Sequence, residues 1–264
     1  MVIPDRSDFA GIRFEETIQE TVSELVGLTT DEIESRLETI LTRSAKGYRT
    51  TLVRRMIEAS GDYVAGSGRF GISIRSILLN KQGNMTESLS FPVFRYMGEG
   101  GLLEEDWETC ETDKIPRIKR LLEDTRFLFA VFQKSGADIR FKGVKFWSMP
   151  KPDIEGYVEP VWQMTYRCIE QGRIQDLPRI TFNGVCHIRP HARNSNDTFP
   201  TPWNGEQVKR SFWLDKRYIR GHLDIVVDDG RSEGDQKGSF ATIREAVPGS
   251  YDTRTDRQLP FADV

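Results

Sequence analysis

Between Arg126 and Phe132 the chain runs Phe127, Leu128, Phe129, Ala130, Val131 and Phe132 without a polar interruption. A short run of this kind has no face to give to water. It predicts a central β-strand covered on both sides, and so a layer of structure above it and another below. With 38% hydrophobic and 10% aromatic residues in 264, the chain can supply both layers.

The flanking segments suggest what those layers are. Phe14, Ile18, Val22 and Leu25 recur at helical spacing. Thr29 followed by Glu32 is a capping-box pattern, opening a helix that carries Ile33, Leu37, Ile40 and Leu41. A third helix is predicted over Tyr48 to Ala59, with Leu52, Val53, Met56 and Ile57 inward. From Phe70 the period changes. Ile72, Ile74 and Ile77 or Leu78, the turn Gln82-Gly83-Asn84, then Leu89, Phe91 and Val93 read as a β-hairpin. Val144 to Trp147 is a further short strand, and Asp153 to Gln171 a long helix closed by Gly172. Gly184 to Ile188 reads as a strand entering a polar loop, Arg189 to Glu206. A short apolar piece follows, Phe212 to Leu214, then a helix from Asp215 through Ile219 and Leu223. Helices, hairpin, central strand, crossover helix and strand together predict an α/β sheet domain over residues 1–227, its helical N-terminal part at about 14–60. Residues 228–264 are polar and Gly-rich and are expected to form a mobile tail.

The net charge of −3 does not announce a nucleic-acid binder, but distribution matters more than the sum. One basic stretch holds Arg43, Lys46, Arg49, Arg54 and Arg55; another holds Arg189, Arg193, Lys209, Arg210, Lys216, Arg217 and Arg220. Cys110, Cys168 and Cys186 have neither metal spacing nor the even count of a disulfide framework, which fits a reducing cytoplasm. No apolar run is long enough to span a membrane, and Met1 to Arg13 has no signal-peptide pattern.

The segment His187-Ile188-Arg189-Pro190-His191-Ala192-Arg193-Asn194 carries the functional reading. Pro190 stiffens the exit from a strand. Arg189 and Arg193 can pair with phosphate or fork onto guanine, and Asn194 and Asn196 can bind adenine edges or backbone. A generic surface loop has a similar composition, so these residues alone leave both readings open.

Cys186-His187-Ile188-Arg189-Pro190-His191, then Ser211-Phe212-Trp213-Leu214, then Tyr218-Ile219 resemble the DNA-recognition end of MutH-type GATC endonucleases. The likeness is to the C-terminal, MutH-like domain of two-domain, GATC-cleaving type II restriction enzymes. Supporting runs are Leu121-Leu122-Glu123, Thr125 to Phe129, Phe141 to Pro150 and Asp153-Ile154-Glu155-Gly156, so that the resemblance covers roughly Phe14 to Val226. It implies a restriction-endonuclease-like mixed sheet flanked by helices, with a DNA cleft. It also implies DNA contacts for Lys46, Arg189, Pro190, His191, Arg193, Asn194 and Trp213. His191 stands where the family has lysine, and Trp213 where it has tyrosine. From the residues alone, Trp213 between Phe212 and Leu214 also reads as core and Lys46 as a solvated surface lysine.

The family's nucleases hold a divalent metal with Asp, a short spacer, then Gly-hydrophobic-Glu-hydrophobic-Lys. Here Gly66 stands for the Asp, Ser73 for the Glu and Arg75 for the Lys, and Arg54 stands at a further acidic position. A hydroxyl is a poor ligand for a hard divalent ion, and Arg does not give up a proton. The resemblance therefore implies a domain that needs no cofactor of its own, although active relatives use Mg²⁺. It implies an allosteric or regulatory partner to a catalytic nuclease domain in cis or in trans, within restriction-modification. Two alternatives stay open. One is an active Mg²⁺ nuclease using Glu58, Asp62 or Glu87, and the other a relic that binds only protein. Asp235-Gln236-Lys237, the literal acid-x-Lys, falls in the expected tail. His187, on the predicted strand, is expected to be a structural hydrogen-bonder.

Overall fold

A computed structural model describes residues 6–59 and 72–224. The apolar run lies in β3 (Arg126–Ser135), the middle strand of sheet 1. β1 (Ile72–Leu79) pairs with it in parallel and β4 (Asp138–Trp147) antiparallel. Successive side chains of a strand point to opposite faces. Phe127, Phe129 and Val131 accordingly enter one apolar cluster, and Leu128, Ala130 and Phe132 another. All six are fully buried, as expected of a strand with no wet face.

One face of sheet 1 is covered by helices. α1 (Arg6–Ser23) contributes Ile18 and Val22, and α2 (Thr30–Arg36) contributes Ile33. α3 (Tyr48–Glu58) contributes Leu52, Val53, Met56 and Ile57. The capping box forms: the Thr29 hydroxyl accepts from the Glu32 amide at 3.2 Å, and the Glu32 carboxylate accepts from the Thr29 amide at 2.7 Å. α2 ends at Arg36, before the apolar spacing runs out. Glu38 takes a left-handed conformation (φ 49°), and Ile40, expected inward, is fully exposed.

The other face packs on sheet 2, formed with α4 (Arg117–Asp124) and α5 (Glu159–Glu170) around the larger cluster. Sheet 2 has the order β2-β8-β5, with β2 (Leu89–Phe94), β5 (Cys186–Pro190) and β8 (Arg210–Leu214). Both neighbours of β8 run antiparallel to it. A two-stranded piece, β6 (Thr198–Pro200) with β7 (Glu206–Val208), lies between β5 and β8 in the chain, and α6 (Lys216–Gly221) follows β8. The architecture is mixed α/β, small mixed sheets flanked by helices, and compatible with a restriction-endonuclease-like fold.

Three expectations need correction. β1 and β2 do not form a hairpin ladder. They touch only through the turn, at the bridge Leu79↔Met85, and then enter different sheets. β2 pairs instead with β8, and the register shifts between Ser90 and Val93, where Pro92 has no amide to offer. The long helix is also interrupted. A short α turn at Lys151–Asp153 and a π-helical turn at Ile154–Val158 precede α5. Pro160 explains the wider turn, because it cannot bond back to the carbonyl of Gly156 and its ring crowds that group. Finally, β5 continues beyond Ile188 through Arg189 to Pro190, so these two residues belong to the strand rather than the loop. As the edge strand of sheet 2, β5 can accommodate the proline. Residues 228–264 lie outside the described residues.

The two-sided burial of β3 is testable by urea denaturation. Phe129→Ala should cost about 3–5 kcal/mol and Leu128→Ala about 2–5 kcal/mol, because each opens a cavity in a different layer. If either substitution is near neutral, one face of β3 is not covered.

Candidate functional site

The inner face of sheet 2 carries Cys186, Ile188, Phe212 and Leu214 into the larger core. Strand alternation then places His187, Arg189, Ser211 and Trp213 on the opposite face. Trp213 is half-buried and takes no part in either apolar cluster, so its packing is not that of a core residue. The Arg189 guanidinium lies over the Trp213 ring, 5.7 Å from its centroid. His191 lies 5.2 Å from the same ring, tilted by 54°. The His191 Nδ1 is 2.9 Å from the Ser211 hydroxyl, which fixes the plane of the imidazole. Arg189 and Pro190 are exposed beside them. Three of the residues singled out in the sequence, Arg189, His191 and Trp213, thus form one cluster.

Arg193 and Asn194 follow in an exposed turn. Its shape is set by Asp197, a residue without an assigned role in the sequence reading. The Asp197 carboxylate pairs with Lys209 and accepts the Arg193 amide at 3.0 Å. Lys209, and then the Arg193 amide, hold its pKa down at about 2. The Asn194 side-chain oxygen accepts the Asn196 amide at 3.0 Å, so one of its polar groups serves the turn itself. The His191 amide donates to the Lys209 carbonyl at 2.8 Å and fastens the start of the turn to the link between β7 and β8. Lys209 and Arg95 both lie over the Phe199 ring, at 4.5 and 5.6 Å. Residues 186–214 hold Arg189, Arg193, Lys209 and Arg210 against Asp197 and Glu206, a local positive excess in a chain of net charge −3.

Lys46 stands apart from this cluster, exposed in the turn that leads into α3 on the helical side of sheet 1. Ser73 and Arg75 sit on β1 opposite Phe127 and Phe129 and share a face of the sheet. Both are half-buried. Arg54 is exposed on α3, and Gly66 lies outside the described residues. Of the acids considered as alternative metal ligands, Glu58 is exposed and pairs with Arg55 at 2.9 Å. Glu87 is exposed in the loop before β2. Asp62, Asp235 and Lys237 lie outside the described residues. Among the described residues no three His, Cys, Asp or Glu side chains are grouped to hold a metal ion, and no helix is long and apolar enough to cross a membrane.

His187 departs from its expected role. Its ring is 1% exposed, and neither nitrogen has a hydrogen-bond partner. Trp213, its register partner on β8, likewise has a buried indole nitrogen without a partner. No signal in the sequence separates a satisfied strand histidine from an unsatisfied one, since the difference lies in what the neighbouring strand offers.

No family model matches the chain. It is similar to the type II restriction enzyme Sau3AI of Staphylococcus aureus, at 30% identity over 196 residues. The match covers 59% of this chain and 39% of that enzyme. The chain is thus related to a type II restriction enzyme and spans about two fifths of its length.

The buried imidazole predicts a pH dependence of stability. Burial, and then the charge of Arg189, lowers the His187 pKa from 6.5 to about 4. Between those values the unfolded chain binds more protons than the folded one. Stability is therefore full above pH 6.5 and falls by about 3 kcal/mol as the pH drops through the window to 4. Burial lowers the His222 pKa as well, so the comparison with His187→Leu isolates the His187 contribution. Urea denaturation at pH 7 and pH 4.5 should show a flatter profile for that variant. An unchanged profile would contradict the account of His187.

Proposed function

We propose that this chain binds double-stranded DNA through the outer face of sheet 2 and the turn after β5, and that it recognises a site without cutting it. The observation that carries the reading is the Arg189–Trp213–His191 cluster. A guanidinium and an imidazole are both held against one indole, on the strand face opposite the one that enters the core. Such a group offers a bidentate donor for a guanine edge or a phosphate and an aromatic surface for a base or a thymine methyl. The adjoining turn brings Arg193 and Asn194 to the same end of β5, and Asp197 restrains its backbone before any ligand arrives. Less ordering is then left to be done on binding.

The similarity to a type II restriction enzyme supports DNA as the partner. The resemblance to MutH-type proteins supports GATC as the site. The residues at the family's metal positions support a non-catalytic role, in which a nuclease domain in cis or in trans does the cutting. In that arrangement the chain binds a second site, or braces or regulates the active domain, in restriction-modification.

A gel shift with a GATC duplex and a scrambled duplex at fixed salt tests the proposal. The GATC duplex should bind more tightly. Arg189→Ala should weaken that complex by about 1–3 kcal/mol, roughly 5- to 150-fold, with a smaller effect on the scrambled duplex. Incubation with GATC plasmid and Mg²⁺ or Mn²⁺ should leave the plasmid intact. Affinity that is indifferent to sequence and to Arg189→Ala contradicts the recognition surface. Cleavage abolished by Glu87→Ala contradicts the non-catalytic role.

A further inference from the structure

The resemblance implies a divalent metal held by acids at the positions of Gly66 and Ser73, beside a lysine at the position of Arg75, and Ser73 and Arg75 do not fit one. A serine hydroxyl is a weak neutral donor. A guanidinium has no lone pair to give and carries the same sign of charge as the ion. The two side chains nevertheless share a face of β1, at the end remote from the turn to β2. Arg75 is half-buried, and its Nε is buried without a hydrogen-bond partner. Burial alone lowers its pKa, and among the described residues no carboxylate acts to raise it. Arg126 on the neighbouring strand, by contrast, has Glu15 at 2.7 Å, and Lys209 has Asp197. A partly desolvated cation without a counter-charge is costly, and an anion would relieve it.

We infer that Arg75, with Ser73 beside it, forms an anion site that takes a backbone phosphate of bound nucleic acid, a fixed cation beside the place where related nucleases hold a metal ion. The planar guanidinium suits a phosphate because two parallel N–H donors meet two oxygens. The Ser73 hydroxyl, two residues away on the same face, can donate to a third. α3 steadies the strand: the Thr50 hydroxyl donates to the Ser76 hydroxyl at 3.3 Å on the opposite face. The anchor is electrostatic and carries no sequence information, which makes it complementary to the recognition cluster on sheet 2.

The inference rests on duplex binding, and the experiment separates the two. Salt titrations of the full chain with GATC and scrambled duplexes would compare wild type, Arg75→Gln and Arg75→Lys. Arg75→Gln should weaken both complexes by the same factor and make the slope of log affinity against log salt shallower by about 0.9. Arg75→Lys should keep the slope. Wild-type affinity should not fall when Mg²⁺ is replaced by EDTA at constant ionic strength. A second measurement needs no DNA: thermal melting in inorganic phosphate against chloride at matched ionic strength. Wild type and Arg75→Lys should be stabilised by phosphate and Arg75→Gln should not. If wild type binds no duplex, the duplex reading falls and the phosphate-dependent melting decides the anion site. If Arg75→Gln folds and leaves both the slope and the phosphate effect unchanged, the anion site is overturned. The same follows if duplex binding requires Mg²⁺.

Discussion

The rest of the molecule depends on β3 being apolar on both faces. Its backbone donors and acceptors need partners on both edges, which β1 and β4 supply. Its side chains need cover above and below, which the N-terminal helices supply on one side and sheet 2 on the other. Sheet 2 must then present an apolar inner face, and Ile188, Phe212 and Leu214 provide it. A strand has only two faces, so the alternate residues His187, Arg189, Ser211 and Trp213 share the opposite face, with Arg189 exposed, Trp213 half-buried and His187 and Ser211 buried beneath them. The candidate recognition surface is therefore a consequence of how the core is built, not an addition to it.

The parts of the fold written in local patterns could be read from the chain. The two-sided strand, the capping box at Thr29 and Glu32, and the inward positions of α3 all depend on residues within a few places of one another. Features decided by distant partners could not. The stretch from Ile72 to Phe94 has the composition of a hairpin, yet β2 finds a better partner in β8, more than a hundred residues later. Ile40 keeps a helical spacing that the chain abandons at Glu38. Pro160 was visible, but whether it ends a helix or widens a turn depends on the packing of Ile154 and Val158 beneath it. At the candidate site, the grouping of Arg189 with Trp213 follows from cross-strand register, and the restraint by Asp197 from a turn that only β6 and β7 complete.

Charge in this protein is arranged by place rather than by total. A net charge of −3 conceals a local positive excess over residues 186–214 and an uncompensated guanidinium on β1. The two differ in kind. On sheet 2, cations are interleaved with aromatic rings and set beside a restrained turn, an arrangement suited to discrimination. On β1, Arg75 stands opposite Phe129 with no acid beside it among the described residues, an arrangement suited to holding an anion of any sequence. Related chemistry that relies on a metal needs an acid at the position of Ser73, and serine there, with arginine in place of the family's lysine, alters what the site can bind while leaving the strand that carries it in place.

The central claim is that the outer face of sheet 2 and the turn after β5 meet DNA. Hydrogen–deuterium exchange of the full chain, free and with saturating GATC duplex, tests it most directly. Slowed exchange should concentrate in residues 189–197 and 209–213, with weaker protection of the same segments by a scrambled duplex. Protection confined to the helical side of sheet 1, or absent from residues 189–197 while the duplex is bound, would contradict the claim.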